Sequence, residues 1–273
     1  MKKILFISIT LVMLITTSCK DDIDFNYHNI DPKYVVEGSV SNIGAEVIVG
    51  KTMNMADTSK RIPVDNANIL ITSSLGEQYP MLNVGNGIYR AKENFKAKAG
   101  ATYTLNVGID NATFTSFSEM QDTTFIKSAW FAWEKVVSED QLCCHIQFQE
   151  IKDEENYYCY RIYRNDSIYK WGVMSDLGYE NTMIDKTIPC VSRQKIKDNK
   201  EDDKERILFD GDHIRLEVLA IDRRTYDYLY SLNLGVGNYA NPINNFTEGC
   251  LGYFSAYSVS SLNLLFGYDK VLN

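Results

Sequence analysis

Thr102–Phe117, TYTLNVGIDNATFTSF, decides the fold class. Tyr103, Leu105 and Val107 alternate with polar residues, the period-two pattern of a half-buried strand, and Asp110-Asn111 is a turn dipeptide that leads into a second run over 112–117. Towards the N-terminus the same grammar recurs. Residues 33–40 and 45–51 are strand-like runs rich in valine and isoleucine, and Val47 and Val49 flank Ile48. Ile62–Ala67 makes a turn into 68–75, Gly76 opens another hairpin, and Asn86-Gly87 is a strong turn dipeptide before Ile88, Tyr89 and Arg90. About seven strands fall within roughly 85 residues, close to the spacing of a β-sandwich, which predicts one such unit over 33–118.

A polar break at 119–124 marks a domain boundary, and a second unit over 125–273 is also mainly β and richer in aromatic residues. Its strands are expected at 126–133, 142–149 and 156–164. The last places Tyr158, Tyr160 and Ile162 on one face and Tyr157, Cys159, Arg161 and Tyr163 on the other. Asn165-Asp166-Ser167 turns into 168–173, and the charged stretch 195–206, KIKDNKEDDKER, reads as a solvated loop. Asp210-Gly211-Asp212 joins 207–209 to an alternating run over 213–221. One helix follows, capped by Asp222, with Tyr226, Leu229 and Tyr230 on one face through about Leu232. Residues 249–266 close the chain with strands. The expected fold class is mainly β: two tandem β-sandwich units, the first immunoglobulin- or transthyretin-like, the second β-rich with one short helix.

The N-terminus gives an address. Lys2 and Lys3 precede an apolar run, Ile4–Ile15, too short to span a bilayer comfortably, so residues 1–18 read as an export signal. Thr16, Thr17 and Ser18 before Cys19 resemble a bacterial lipobox, with Thr16 where leucine is usual; acylation of Cys19 is the expected lipidation. Lys20, Asp21 and Asp22 resemble the signal that sends Bacteroidota lipoproteins to the cell surface, and 19–32 is a polar tether. Removing 1–18 takes away Lys2 and Lys3 and no acid, moving the net charge from −8 to −10. Such a balance, without a basic run, argues against a nucleic-acid partner. No later stretch is long and apolar enough to cross a membrane, which leaves the lipid as the expected anchor.

The chemistry-bearing residues are sparse. Five cysteines remain beyond Cys19, namely Cys143, Cys144, Cys159, Cys190 and Cys250; an odd number cannot all pair within one chain. Most are expected to be buried and apolar, with a Cys159–Cys190 bridge as the alternative. Cys143 and Cys144 are adjacent in a strand, so they face opposite sides and cannot easily share a metal. Among three histidines, His28 lies in the tether, His145 sits in a strand, and His213 follows a turn whose acids are ordinary turn chemistry. No zinc-protease helix, nucleophile elbow or phosphate loop is present, so no catalytic residue, metal or cofactor is assigned and no enzyme activity is expected. The chain carries 18 Tyr, 12 Phe and 3 Trp, and the rings crowd into the second unit. Trp130, Trp133, Tyr163, Tyr169 and Trp171 are the candidate ligand-binding residues, because Tyr and Trp offer large amphipathic area with few torsions to fix.

Asn241-Pro242, Asn244-Asn245 and 249–259, GCLGYFSAYSV, are similar to the asparagine–proline loop and closing motif of the Bacteroidota domain-of-unknown-function 4249 (DUF4249) lipoproteins. Tyr34–Gly38, Pro63-Val64 with Ala67, Gly87-Ile88-Tyr89, Glu155–Tyr158 and the helix from Asp222 resemble that family in type and order. The resemblance implies an outer-membrane lipoprotein associated with TonB-dependent transporters and carries no catalytic residues. The leading expectation is a surface lipoprotein that binds a small-molecule, glycan or peptide ligand or assists such a transporter. A structural or adhesive surface protein is second and an extracytoplasmic hydrolase third. Asp122-Thr123-Thr124 and Asp166-Ser167-Ile168 also resemble O-glycan acceptor motifs of exported Bacteroidota proteins.

Overall fold

A computed structural model describes residues 31–53, 61–92, 95–151, 155–179, 183–235, 242–247 and 249–272. The export signal over 1–18, Cys19, Lys20, Asp21, Asp22 and His28 lie outside the described residues, as does Asn241. The alternating runs become strands: β1 (Tyr34–Ser41), β2 (Gly44–Lys51), β3 (Ile62–Pro63), β4 (Asn68–Ser73), β5 (Gln78–Pro80), β6 (Leu82–Gly85), β7 (Ile88–Arg90), β8 (Thr102–Ile109) and β9 (Ala112–Glu119). Beyond the polar break come β10 (Ile126–Val136), β11 (Glu139–Gln149), β12 (Tyr157–Arg164), β13 (Ser167–Ser175), β14 (Met183–Ser192), β15 (His213–Ile221) and β16 (Cys250–Leu265). Among the described residues two helices interrupt them, α1 (Arg193–Asp198) and α2 (Arg223–Gly235).

These strands make three sheets. The largest has nine strands in the order β13-β12-β15-β16-β1-β2-β7-β6, with β3 added beside β2; the others are β10-β11-β14 and β5-β4-β8-β9. Its pivotal pairing is parallel: β1 lies beside β16 from Tyr34 opposite Cys250 to Ser41 opposite Tyr257. The fold is therefore mainly β with sandwich units, as the periodicity predicts, and the two halves of the sequence share one sheet and form one compact unit.

The cores remain distinct. On the inner face of the large sheet, Val36, Val40, Val47, Val49, Phe254 and Ala256 meet Ile69, Ile71, Tyr103, Leu105, Val107 and Phe114 of the four-stranded sheet. Further along, Tyr158, Ile162, Ile214, Leu216 and Val218 meet Phe131, Leu142, Cys144, Ile146 and Phe148 of the three-stranded sheet. Each fully buried aliphatic or aromatic side chain contributes roughly 1.5–3 kcal/mol. A third cluster lies on the outer face, where Tyr157, Cys159, Leu219 and Ile221 are covered by Tyr228 and Leu229 of α2.

Three expectations are refined. The five cysteines beyond Cys19 are all free and buried, so the Cys159–Cys190 bridge is absent. The reason is the pleat: Cys159 faces the outer cluster beneath α2, whereas Cys190 faces the second core. The charged stretch 195–206 is not wholly loop, because Ser192 caps α1, Ile196 packs against the second core, and Glu201–Asp203 adds a 3-10 turn. The segment 249–266 holds one long strand, β16, rather than several, and it serves both cores.

Candidate functional site

Alternation along β12, β15 and β16 determines which side chains leave the core. Their outer-face positions hold Arg161 and Tyr163, Arg215 and Glu217, and Tyr253, Ser255 and Tyr257. Across the strands, Arg161 stands opposite Trp171 on one side and Glu217 on the other, and Tyr163 stands opposite Arg215. Arg215 lies over the Tyr163 ring at 3.8 Å and is also ion-paired with Glu217. α2 closes one end, with Tyr228 stacked on Tyr253 at 4.5 Å and Tyr226 tilted against Tyr157 at 4.8 Å. Burial pushes the Tyr228 hydroxyl up to about 12, and the nearby Glu37 carboxylate acts in the same direction. A groove of about 430 Å³ opens on this face between Tyr257 and the β1–β2 hairpin, with Ser39, Gly44, Glu46, Arg90 and Lys92 along it.

Arg161 is the unusual member. Of the nine arginines in the sequence, Arg90, Arg164, Arg193, Arg206, Arg215 and Arg223 pair with carboxylates, and Arg61 and Arg224 donate to backbone carbonyls. Among the described residues, Arg161 has neither kind of partner. Its guanidinium lies near the Cys159 thiol and 5.9 Å from the centre of the Tyr257 ring. Tyr257, Tyr253 and Tyr163 are close enough to act on its charge.

A second polar cluster occupies the outer face of the three-stranded sheet. Trp130 and His145 are cross-strand neighbours whose rings stack at 4.9 Å with 4° between planes. The His145 Nδ1 atom lies 3.1 Å from Asp185 Oδ1 and 3.3 Å from Thr187 Oγ1, and Nε2 lies 2.9 Å from Glu134 Oε1. That last contact is close but poorly aligned for a hydrogen bond, so it acts through charge alone. The two carboxylates sit at opposite ring nitrogens and do not converge on one ion, and no metal-competent cluster occurs among the described residues. Cys143, two residues from His145 on this face, is no activated nucleophile, because burial and then the Glu134 charge push its thiol up to about 11.

The five predicted rings part company. Tyr163 and Trp171 share the outer face of the large sheet, on either side of Arg161. Trp130 lies on the other outer face, against His145. Trp133 packs against the second core, with Arg193 3.8 Å above its ring. Tyr169 also turns to that core, donates its hydroxyl to the Arg206 carbonyl, and lines a separate cleft of about 400 Å³ with Arg164, Asn165 and Glu205. Trp130 and Trp133 are three residues apart, an odd spacing that already puts them on opposite faces. His213 is exposed, and Asp212 beside it is a structural anchor bonded to Arg164, Asn165 and the Phe209 amide.

Fold and face define the chain as a two-core β-sandwich protein with an aromatic and cationic outer surface. It belongs to the DUF4249 family, a domain of unknown function, whose sequence profile matches residues 20–263. No curated protein matches the chain. The segments that carry its resemblance to the family act as joints. Asn245 Oδ1 accepts from Ser116 Oγ and the Phe254 amide, while its Nδ2 donates to the Phe254 carbonyl. Asp222 caps α2 through the Thr225 amide and accepts from Ser118 Oγ. Asn156 donates its amide to Asp176 and its side chain to the Ile151 carbonyl.

Proposed function

We propose that the chain is a lipoprotein of the outer membrane, exposed at the cell surface, that captures a ligand on the outer face of its nine-stranded sheet and serves a TonB-dependent transporter as an accessory. The observation that carries the reading is the order of segments. A basic, apolar export signal ends at Cys19, and the family match begins at residue 20, immediately after it. Acyl chains contribute about 0.8 kcal/mol per buried CH₂, so two or more of them on one sulfur and its amine hold a folded body at a membrane. The outer face adds a surface suited to binding: rings with few torsions beside guanidinium groups.

Growth in radiolabelled palmitate tests the anchor, with incorporation expected in the native chain and none in Cys19→Ser. Protease treatment of intact cells tests exposure, with loss of the native chain expected while periplasmic markers survive. Deletion of the gene is expected to slow growth on at least one substrate of a neighbouring transporter. Unchanged growth on all of them removes the accessory role.

A further inference from the structure

We infer that Arg161 anchors an anion-binding site on the outer face of the nine-stranded sheet, for a small molecule that carries a carboxylate or phosphate on a flat, hydroxylated body. The inference rests on the ligand-binding reading above and names the chemistry of the ligand. A guanidinium presents a rigid fork of donors that matches two oxygens of an oxyanion. Among the described residues Arg161 has only the neighbouring Cys159 thiol, a weak acceptor, and the face of Tyr257 for company. A half-buried charge without an oxygen partner destabilises the unliganded protein.

A carboxylate is within easy reach of the sequence. Glu217 stands directly opposite Arg161 across the strand pair, yet it is ion-paired with Arg215 on its own strand. Arg161 is thereby left with its donors open on an acidic chain that has 36 Asp and Glu against 28 Lys and Arg. On the same face, between Tyr253 and Tyr257, Ser255 is 1% exposed and its hydroxyl has no partner among the described residues. Tyr257 also forms one end of the groove that runs past Ser39 and Lys92. Its ring offers a flat apolar surface to the body of a ligand whose anionic end meets Arg161.

The test is calorimetric titration of the purified full-length chain in detergent with sodium D-glucuronate, with inorganic phosphate, and with D-glucose as the uncharged ring of similar shape. Glucuronate is expected to bind saturably and about tenfold or more tightly than glucose, since a charge-assisted bidentate pair is the added contact. Arg161→Met keeps the apolar stem and is expected to abolish that advantage with its melting temperature preserved. Arg161→Lys is expected to restore part of it, having the charge without the fork. Competition on the native chain supplies a readout independent of any variant: phosphate is expected to displace glucuronate, and independent binding of the two overturns the site. Full affinity in Arg161→Met, or no binding of either anion, also overturns it. Glucose binding as tightly as glucuronate to both proteins refutes the anion site while leaving a ligand-binding face in place; palmitate labelling and protease exposure judge the surface-lipoprotein reading separately.

Discussion

The joints around the first core and the outer face of the nine-stranded sheet treat buried polar groups in opposite ways. Around the first core they are matched: Ser116, Asn245 and Phe254 close on one another, and Ser118 bridges Asp222 and the Ala256 amide. On the outer face of the nine-stranded sheet, the Ser255 hydroxyl has no partner and Arg161 has no oxygen partner among the described residues. Satisfied buried networks fix a unique arrangement, whereas an unsatisfied donor is a standing source of free energy for a ligand. The difference separates the residues that build the molecule from those available to bind.

The strongest challenge to this comparison is at Gly252, where β16 meets β1. Its φ of +107° disfavours any side chain, and a Cβ there would run into the Val36 carbonyl oxygen. Gly252→Ala is expected to destabilise the chain by about 4 kcal/mol or more, measured as a lower urea midpoint. A loss below about 1 kcal/mol would mean the parallel pairing does not hold the halves together. Next in size is Asn245→Ala, which leaves Ser116 and the Phe254 backbone unmatched; a loss of about 3 kcal/mol is expected in the same measurement.

Asp212 sharpens the comparison through pH. Burial works against its charge, but the Phe209 amide, Asn165 and Arg164 outweigh that penalty and hold its carboxyl below the usual carboxylate range. Its contribution is therefore complete above the ordinary value of about 4 and is lost as pH falls through the lower folded value. Asp212→Asn is expected to cost about 2–3 kcal/mol at neutral pH, with the gap from the native chain narrowing in urea titrations at about pH 3. The smallest effect belongs to Arg161→Met. Because no oxygen partner is left behind, its stability is expected to stay within about 1 kcal/mol of native or to rise, and a loss of several kcal/mol would place Arg161 among the matched joints.

Local chemistry made much of the fold legible. Alternation marked β8, β12 and β15, turn residues marked Asp110-Asn111 and Asn165-Asp166, and Asp222 with Tyr226 and Leu229 marked α2. Nothing local marks the pairing of β1 with β16, because parallel neighbours from opposite ends of a chain need no turn between them. The site was partly legible: the face carrying Arg161 and Tyr163 follows from period two. That Glu217 pairs with Arg215, leaving Arg161 open, depends on strand register and rotamers that no spacing reveals. The His145 cluster is hidden from the sequence for the same reason, since Glu134 and Asp185 reach it from two other strands.

The central claim is that one shared sheet makes two cores a single cooperative body with a matched frame. Scanning calorimetry of the purified full-length chain tests it directly. One transition is expected, with calorimetric and van't Hoff enthalpies in agreement. Two resolved transitions, or a calorimetric enthalpy about twice the van't Hoff value, would contradict it.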